Sequence, residues 1–107
     1  MQYHPMYFRM DGTPYEGENP VLQWGKDFEN VAARRIGDAK LPNGYRVSTV
    51  WLGLDHNHWG GPPLIFETMV FPIDSFDELQ TERYSTLKEA KAGHERMVEE
   101  WSKKPPR

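Results

Sequence analysis

Two apolar segments, YRVSTVWLGL over Tyr45–Leu54 and LIFETMVF over Leu64–Phe71, constrain this chain more than any other feature of it. Both are rich in β-branched and aromatic residues and are bounded by turn formers, Pro42-Asn43-Gly44 before the first and Pro72 after the second, so each reads as a β-strand. Neither has a polar face. Val50, Leu52 and Leu54 alternate with Trp51, and Phe66 and Val70 alternate with Ile65, Met69 and Phe71. Strands of this kind sit centrally in a sheet covered on both faces, or turn one face to a partner.

The rest of the chain supplies companions for them. Thr86, followed three residues later by Glu89, is a capping box that starts a helix. Leu87, Ala90, His94, Met97, Val98 and Trp101 then fall on one helical face, which should lie across the sheet. Val31–Ile36 tolerates either a helix, through Ala-Ala-Arg-Arg, or a strand, and the strand is favoured as a hairpin partner for Tyr45–Leu54; Leu79–Tyr84 reads as a further strand after the turn-rich Asp74–Asp77. Near the start, Tyr7–Met10 and Thr13–Tyr15 flank Asp11-Gly12 as a short hairpin with Pro14 on an edge strand. Asn19-Pro20 opens a short helix whose stripe is Val21, Leu22, Trp24 and Phe28, weakened by Gly25. The fold class is α+β: an antiparallel sheet of about five or six strands packed against one long C-terminal helix, plus one short helix near residues 20–29.

A chain of 107 residues has room for one core. Residues 1–102 are expected to form a single domain, and Lys103-Lys104-Pro105-Pro106-Arg107 a flexible basic tail. The absence of cysteine excludes disulfides, zinc–thiolate clusters and thiol nucleophiles. The N-terminus lacks the pattern of a secretory signal and no segment is apolar enough to span a membrane, so a cytoplasmic, soluble protein is expected. A net charge of −3 with scattered basic residues argues against broad nucleic-acid binding. No phosphate loop, dinucleotide fingerprint or nucleophile elbow occurs, and no cofactor is expected.

Candidate chemistry gathers around the loop Asp55-His56-Asn57-His58. His56 and His58 have the spacing a pair of metal ligands could use, with Asp55 or Glu67 as a third, but a hydrated hairpin loop carries such residues for its own sake and no metal is favoured. Gly60-Gly61-Pro62-Pro63 reads as turn punctuation, because the prolines remove two N–H donors just where a phosphate cradle would need them. Glu67 is the only charged residue within Leu64–Phe71 and either reaches solvent at a sheet edge or is held by a partner such as Arg46, Arg83 or His94. His94, on the apolar face of the last helix, points toward the sheet and could meet Glu67 there, or be a satisfied core histidine. Trp59, in the loop, is the aromatic residue least needed for a core, and so either an exposed contact candidate or a side chain that folds back over the sheet edge.

The strings RVSTVWLGLDHNHWGGPPLIFETMVF and ERYSTLKEAKAGHERMV are similar to a family of small uncharacterised proteins from bacteriophage and prophage genomes. The resemblance covers Arg46–Phe71 and Glu82–Val98. Carried onto this sequence it takes in Ser48, Thr49, Leu52, Gly53, Leu54, Asp55, His56, Gly61, Pro62, Pro63, Phe66, Glu67, Thr68, Tyr84, Gly93 and His94, while His58 lies outside it. It implies a phage accessory protein and raises His56, Glu67 and His94 as a set.

Three functions follow as expectations. The first is a non-enzymatic module that binds a host macromolecule, a host protein of a defence system among the candidates. The second is a homo-oligomer that sequesters a nucleotide-like molecule, with Trp59 or Tyr45 on a base and Arg46 on phosphate. The third is a metal-assisted hydrolase with His56, Asp55 and His58 as ligands and Glu67 as general base.

Overall fold

A computed structural model describes residues 5–107 of the chain. The sheet starts from the turn the sequence marks most strongly. Gly44 takes a φ of 96°, which only glycine adopts without strain, and the Leu41 N–H donates to the Tyr45 carbonyl at 2.7 Å. That turn joins β1 (Arg35–Lys40) to β2 (Tyr45–Trp51), and β3 (Phe66–Pro72) and β4 (Gln80–Tyr84) complete a four-stranded antiparallel sheet in sequential order. Two short helices, α1 (Pro20–Phe28) and α2 (Val31–Arg34), precede the sheet, and α3 (Leu87–Ser102) follows it.

Register decides which side chains meet. Val47, Thr49 and Trp51 stand opposite Val70, Thr68 and Phe66. All six are buried on the face that α3 covers. The alternate set, Arg46, Ser48 and Val50 opposite Phe71, Met69 and Glu67, occupies the other face. There, among the described residues, charged neighbours shield the apolar side chains. Arg46 forms two hydrogen bonds to Asp38, at 2.7 and 2.9 Å, and lies 5.3 Å over the Phe71 ring, while Arg83 bonds Glu67 at 2.9 Å.

The sheet has four strands, not the five or six expected from the sequence. The Tyr7–Tyr15 hairpin shrinks to isolated bridges, Phe8 to Pro14 and Tyr7 to Leu54, because Pro14 has no N–H to extend the ladder. Val31–Arg34 is a helical turn, not a strand. The Asn30 side chain accepts from the Ala33 N–H at 3.1 Å and caps it, and β1 begins only at Arg35, where β2 offers partners. The segment from Leu64 also enters its strand late. The Ile65 carbonyl accepts from both Leu52 and Gly53, an irregular pairing that delays β3 to Phe66.

Helix α3 matches its sequence signals. The Thr86 hydroxyl accepts from the Glu89 N–H at 3.1 Å and meets the Glu89 carboxylate at 3.0 Å. In α1, Asn19 holds the cap position without a side-chain bond, and Pro20 opens the helix. The core beneath α3 divides in two. Phe8, Tyr15, Trp51, Ile65, Phe66, Tyr84 and Ala90 form one cluster, against which Trp24 and Phe28 of α1 pack, and Leu41, Val47, Val70 and Met97 form the other. At the C-terminus the Arg107 N–H donates to the Asn43 carbonyl at 3.0 Å, and its guanidinium donates to Asp74 at 2.8 Å.

Candidate functional site

The loop from Asp55 to Leu64 is built by its own polar side chains. Asp55 Oδ1 accepts from the N–H groups of Asn57, at 2.7 Å, and Leu64, at 2.9 Å, and so closes the loop across its base. Asn57 repeats the device, accepting from the Trp59 N–H at 3.2 Å and donating through Nδ2 to the Pro62 carbonyl at 2.9 Å. Asp55 and Asn57 therefore act on the backbone. What the bracketed loop presents is Trp59, 96% exposed, with His58 exposed beside it and His56 half-buried.

Glu67 and His94 do not meet. Adjacent strand residues point to opposite faces, so Glu67 leaves the sheet on the side away from α3 while its neighbour Thr68 faces His94's helix. Glu67, only 9% exposed, has Arg83 as its partner, and the two strands place these residues directly opposite each other. The set His56, Glu67 and His94 is thus not a single constellation. Among the described residues no group of three or more His, Asp or Glu side chains is placed to hold a metal ion.

His94 takes its other expected place, as a hydrogen-bonded histidine under the helix, in a row whose remaining members, Thr49, Thr68 and Tyr84, the sequence did not single out. Its Nδ1 lies 2.7 Å from the Thr49 hydroxyl, Thr49 lies 2.6 Å from the Thr68 hydroxyl, and the Tyr84 hydroxyl donates to Thr68 at 3.0 Å. With Tyr84 donating, each hydroxyl can pass its own hydrogen onward, so the row ends with Nδ1 as acceptor on a neutral imidazole. Burial pushes the His94 pKa below its ordinary value, outweighing the carboxylates of Asp38 and Glu95, and burial raises that of Tyr84. Two glycines make room for the row. A Cβ at Gly37 would lie 2.5 Å from His94 Nε2, and one at Gly93 would overlap the Tyr84 ring. Two threonines on the inward face of β2 and β3 were the available signal, since hydroxyls there must find partners.

The nucleotide arrangement expected around Tyr45 and Arg46 is occupied by structural contacts. Tyr45 packs edge-on against Trp101, with ring centres 5.0 Å apart, and the Asp38 carboxylate holds the Arg46 fork and is itself held below the usual carboxylate range by it. No helix among the described residues is long and apolar enough to cross a membrane. No family model, curated protein or solved structure matches the chain.

Proposed function

We propose that this chain is a non-enzymatic binding module that grips a macromolecular partner through the Trp59 loop. The observation that carries the reading is an almost fully exposed indole on a loop whose backbone is fixed by Asp55 and Asn57. Indole offers large contact area with few torsions to freeze, and a loop ordered in advance loses little entropy on docking. Leaving so large an apolar side chain in water serves no folding purpose. The similarity to small phage and prophage proteins favours a host protein, a component of a defence system included, encountered in the host cytoplasm.

Trp59→Ala is expected to leave stability within about 0.5 kcal/mol of the parent, because the side chain is exposed, yet to weaken partner binding by about 2 kcal/mol or more. Asp55→Ala removes the acceptor for two backbone donors and is expected to lower stability by about 1 kcal/mol and to loosen binding indirectly. Pull-down from host lysate with parent, Trp59→Ala and His58→Ala proteins reads both effects. A protein retained by the parent and by His58→Ala but lost from Trp59→Ala supports the assignment; the same set retained by all three rejects it.

A further inference from the structure

A cavity of about 300 Å³ opens between the N-terminal ribbon, α1 and α2, on residues that neither the Trp59 loop nor the buried row uses. Its wall carries the cationic side chains of Arg9, Lys26 and Arg34, the carboxylate of Asp27, and the aromatic rings of Tyr15 and Trp51. Three cations around one carboxylate is an unfavourable gathering in a protein whose net charge is −3. None of the three forms an ion pair among the described residues. Asp27 is itself engaged, accepting from the Tyr15 hydroxyl at 2.7 Å.

The guanidiniums are held rather than free to swing into water. Arg34 stacks 3.9 Å over the Phe28 ring, and its Nε is buried without a hydrogen-bond partner among the described residues. Arg9 lies 4.7 Å over the Tyr15 ring and donates to the Pro14 carbonyl at 2.7 Å. Three positive charges that share one engaged carboxylate favour an anion in the space between them.

We propose that this cavity binds a small phosphorylated molecule. A phosphate monoester is close to dianionic at neutral pH and offers three acceptor oxygens, which suits two guanidinium forks and an ammonium converging from separate segments. The volume sits at the lower end of ligand cavities, which favours a compact ligand over a long chain. The remainder of the molecule rests against the Trp51 side, and Asp27 accepts a hydrogen bond from a ligand hydroxyl or amine.

Isothermal titration and thermal unfolding of the full chain at fixed ionic strength test the site, with ribose 5-phosphate and adenosine monophosphate as probes and sulfate and citrate as controls. Saturable binding of either monophosphate, with a raised unfolding midpoint, is expected. Lys26→Gln, at an exposed position that folding does not need, and Arg34→Gln should each weaken that affinity about tenfold or more, since a charge-assisted hydrogen bond is removed. Lys88→Gln on α3 should leave it unchanged. The proposal is overturned by no saturable binding of either monophosphate, by equal responses to sulfate and citrate, or by Lys26→Gln binding as the parent does. Trp59→Ala should bind the monophosphates normally, which separates this site from the docking loop.

Discussion

Gly93→Ala should lower the stability of the protein by about 2–3 kcal/mol, even though alanine is the better helix former by about 1 kcal/mol. The added methyl group would overlap the Tyr84 ring, which marks how closely α3 approaches β4. Tyr84 cannot retreat: it is 6% exposed, belongs to the apolar cluster under the helix, and is tied by its hydroxyl to Thr68. Relief requires the helix to lift, which would also strain the contacts of Ala90 and Met97, both fully buried on the same side of α3. Gly25 of α1 provides the opposite sign, because a Cβ there meets nothing within 4 Å. Gly25→Ala should stabilise by about 0.5–1 kcal/mol through helix propensity alone. Urea unfolding of the two variants decides the matter: a Gly93→Ala protein as stable as the parent would show that α3 does not pack on Tyr84 as described.

Thr49→Val should cost about 2 kcal/mol although it nearly preserves shape, since it removes the hydroxyl shared by Thr68 and His94 and leaves the fully buried Thr68 hydroxyl hydrogen without an acceptor. The same row makes stability depend on pH. Burial lowers the pKa of His94 in the folded protein below the ordinary value of 6.5, so the unfolded chain binds a proton at a pH where the native protein does not. The stability from a neutral His94 is therefore present above about pH 6.5 and is lost as the pH falls below it. Protonating Nδ1 would also oblige the hydroxyls to reverse, leaving Thr68 to donate toward a Tyr84 hydroxyl that now donates to it. His94→Gln should flatten the decline between pH 7 and pH 5, and an unchanged slope would assign the acid sensitivity to other groups.

The elements that could be read from sequence are those whose signal is local. Helix α3 carries its cap, its stripe and its start within one segment, and β2 and β3 carry side chains that suit no other backbone. Strand β1 was misplaced because Arg35–Lys40 has no strong preference of its own: it is a strand because β2 presents an unpaired edge beside it, and Asn30 claims Val31–Arg34 for a helical turn. The pairing of Glu67 with His94 failed for a different reason. The parity of each strand residue is legible, but β2 and β3 are apolar on both faces, so nothing local says which face α3 will cover. The sequence leaves open whether Trp59 is exposed or folds back over the sheet edge, and the structure exposes it, while Asp55, a ligand candidate by residue type, serves its own loop as the acceptor for two backbone N–H groups.

The hydroxyl row between the two apolar clusters also sets how the molecule should open. Apolar packing that is interrupted does not transmit loosening as a continuous core does, so the two ends of the sheet should behave as separate cooperative units in native-state hydrogen exchange. Amides of α1 and the Tyr7–Tyr15 ribbon, which rest only on the Trp51 end, should exchange through partial opening at low free energy. Those of β2 and β3 near Val47 and Val70 should exchange only through global unfolding. A ligand held by Arg9, Lys26 and Arg34 would bridge the ribbon to both short helices, and slower exchange confined to the first unit would be its signature.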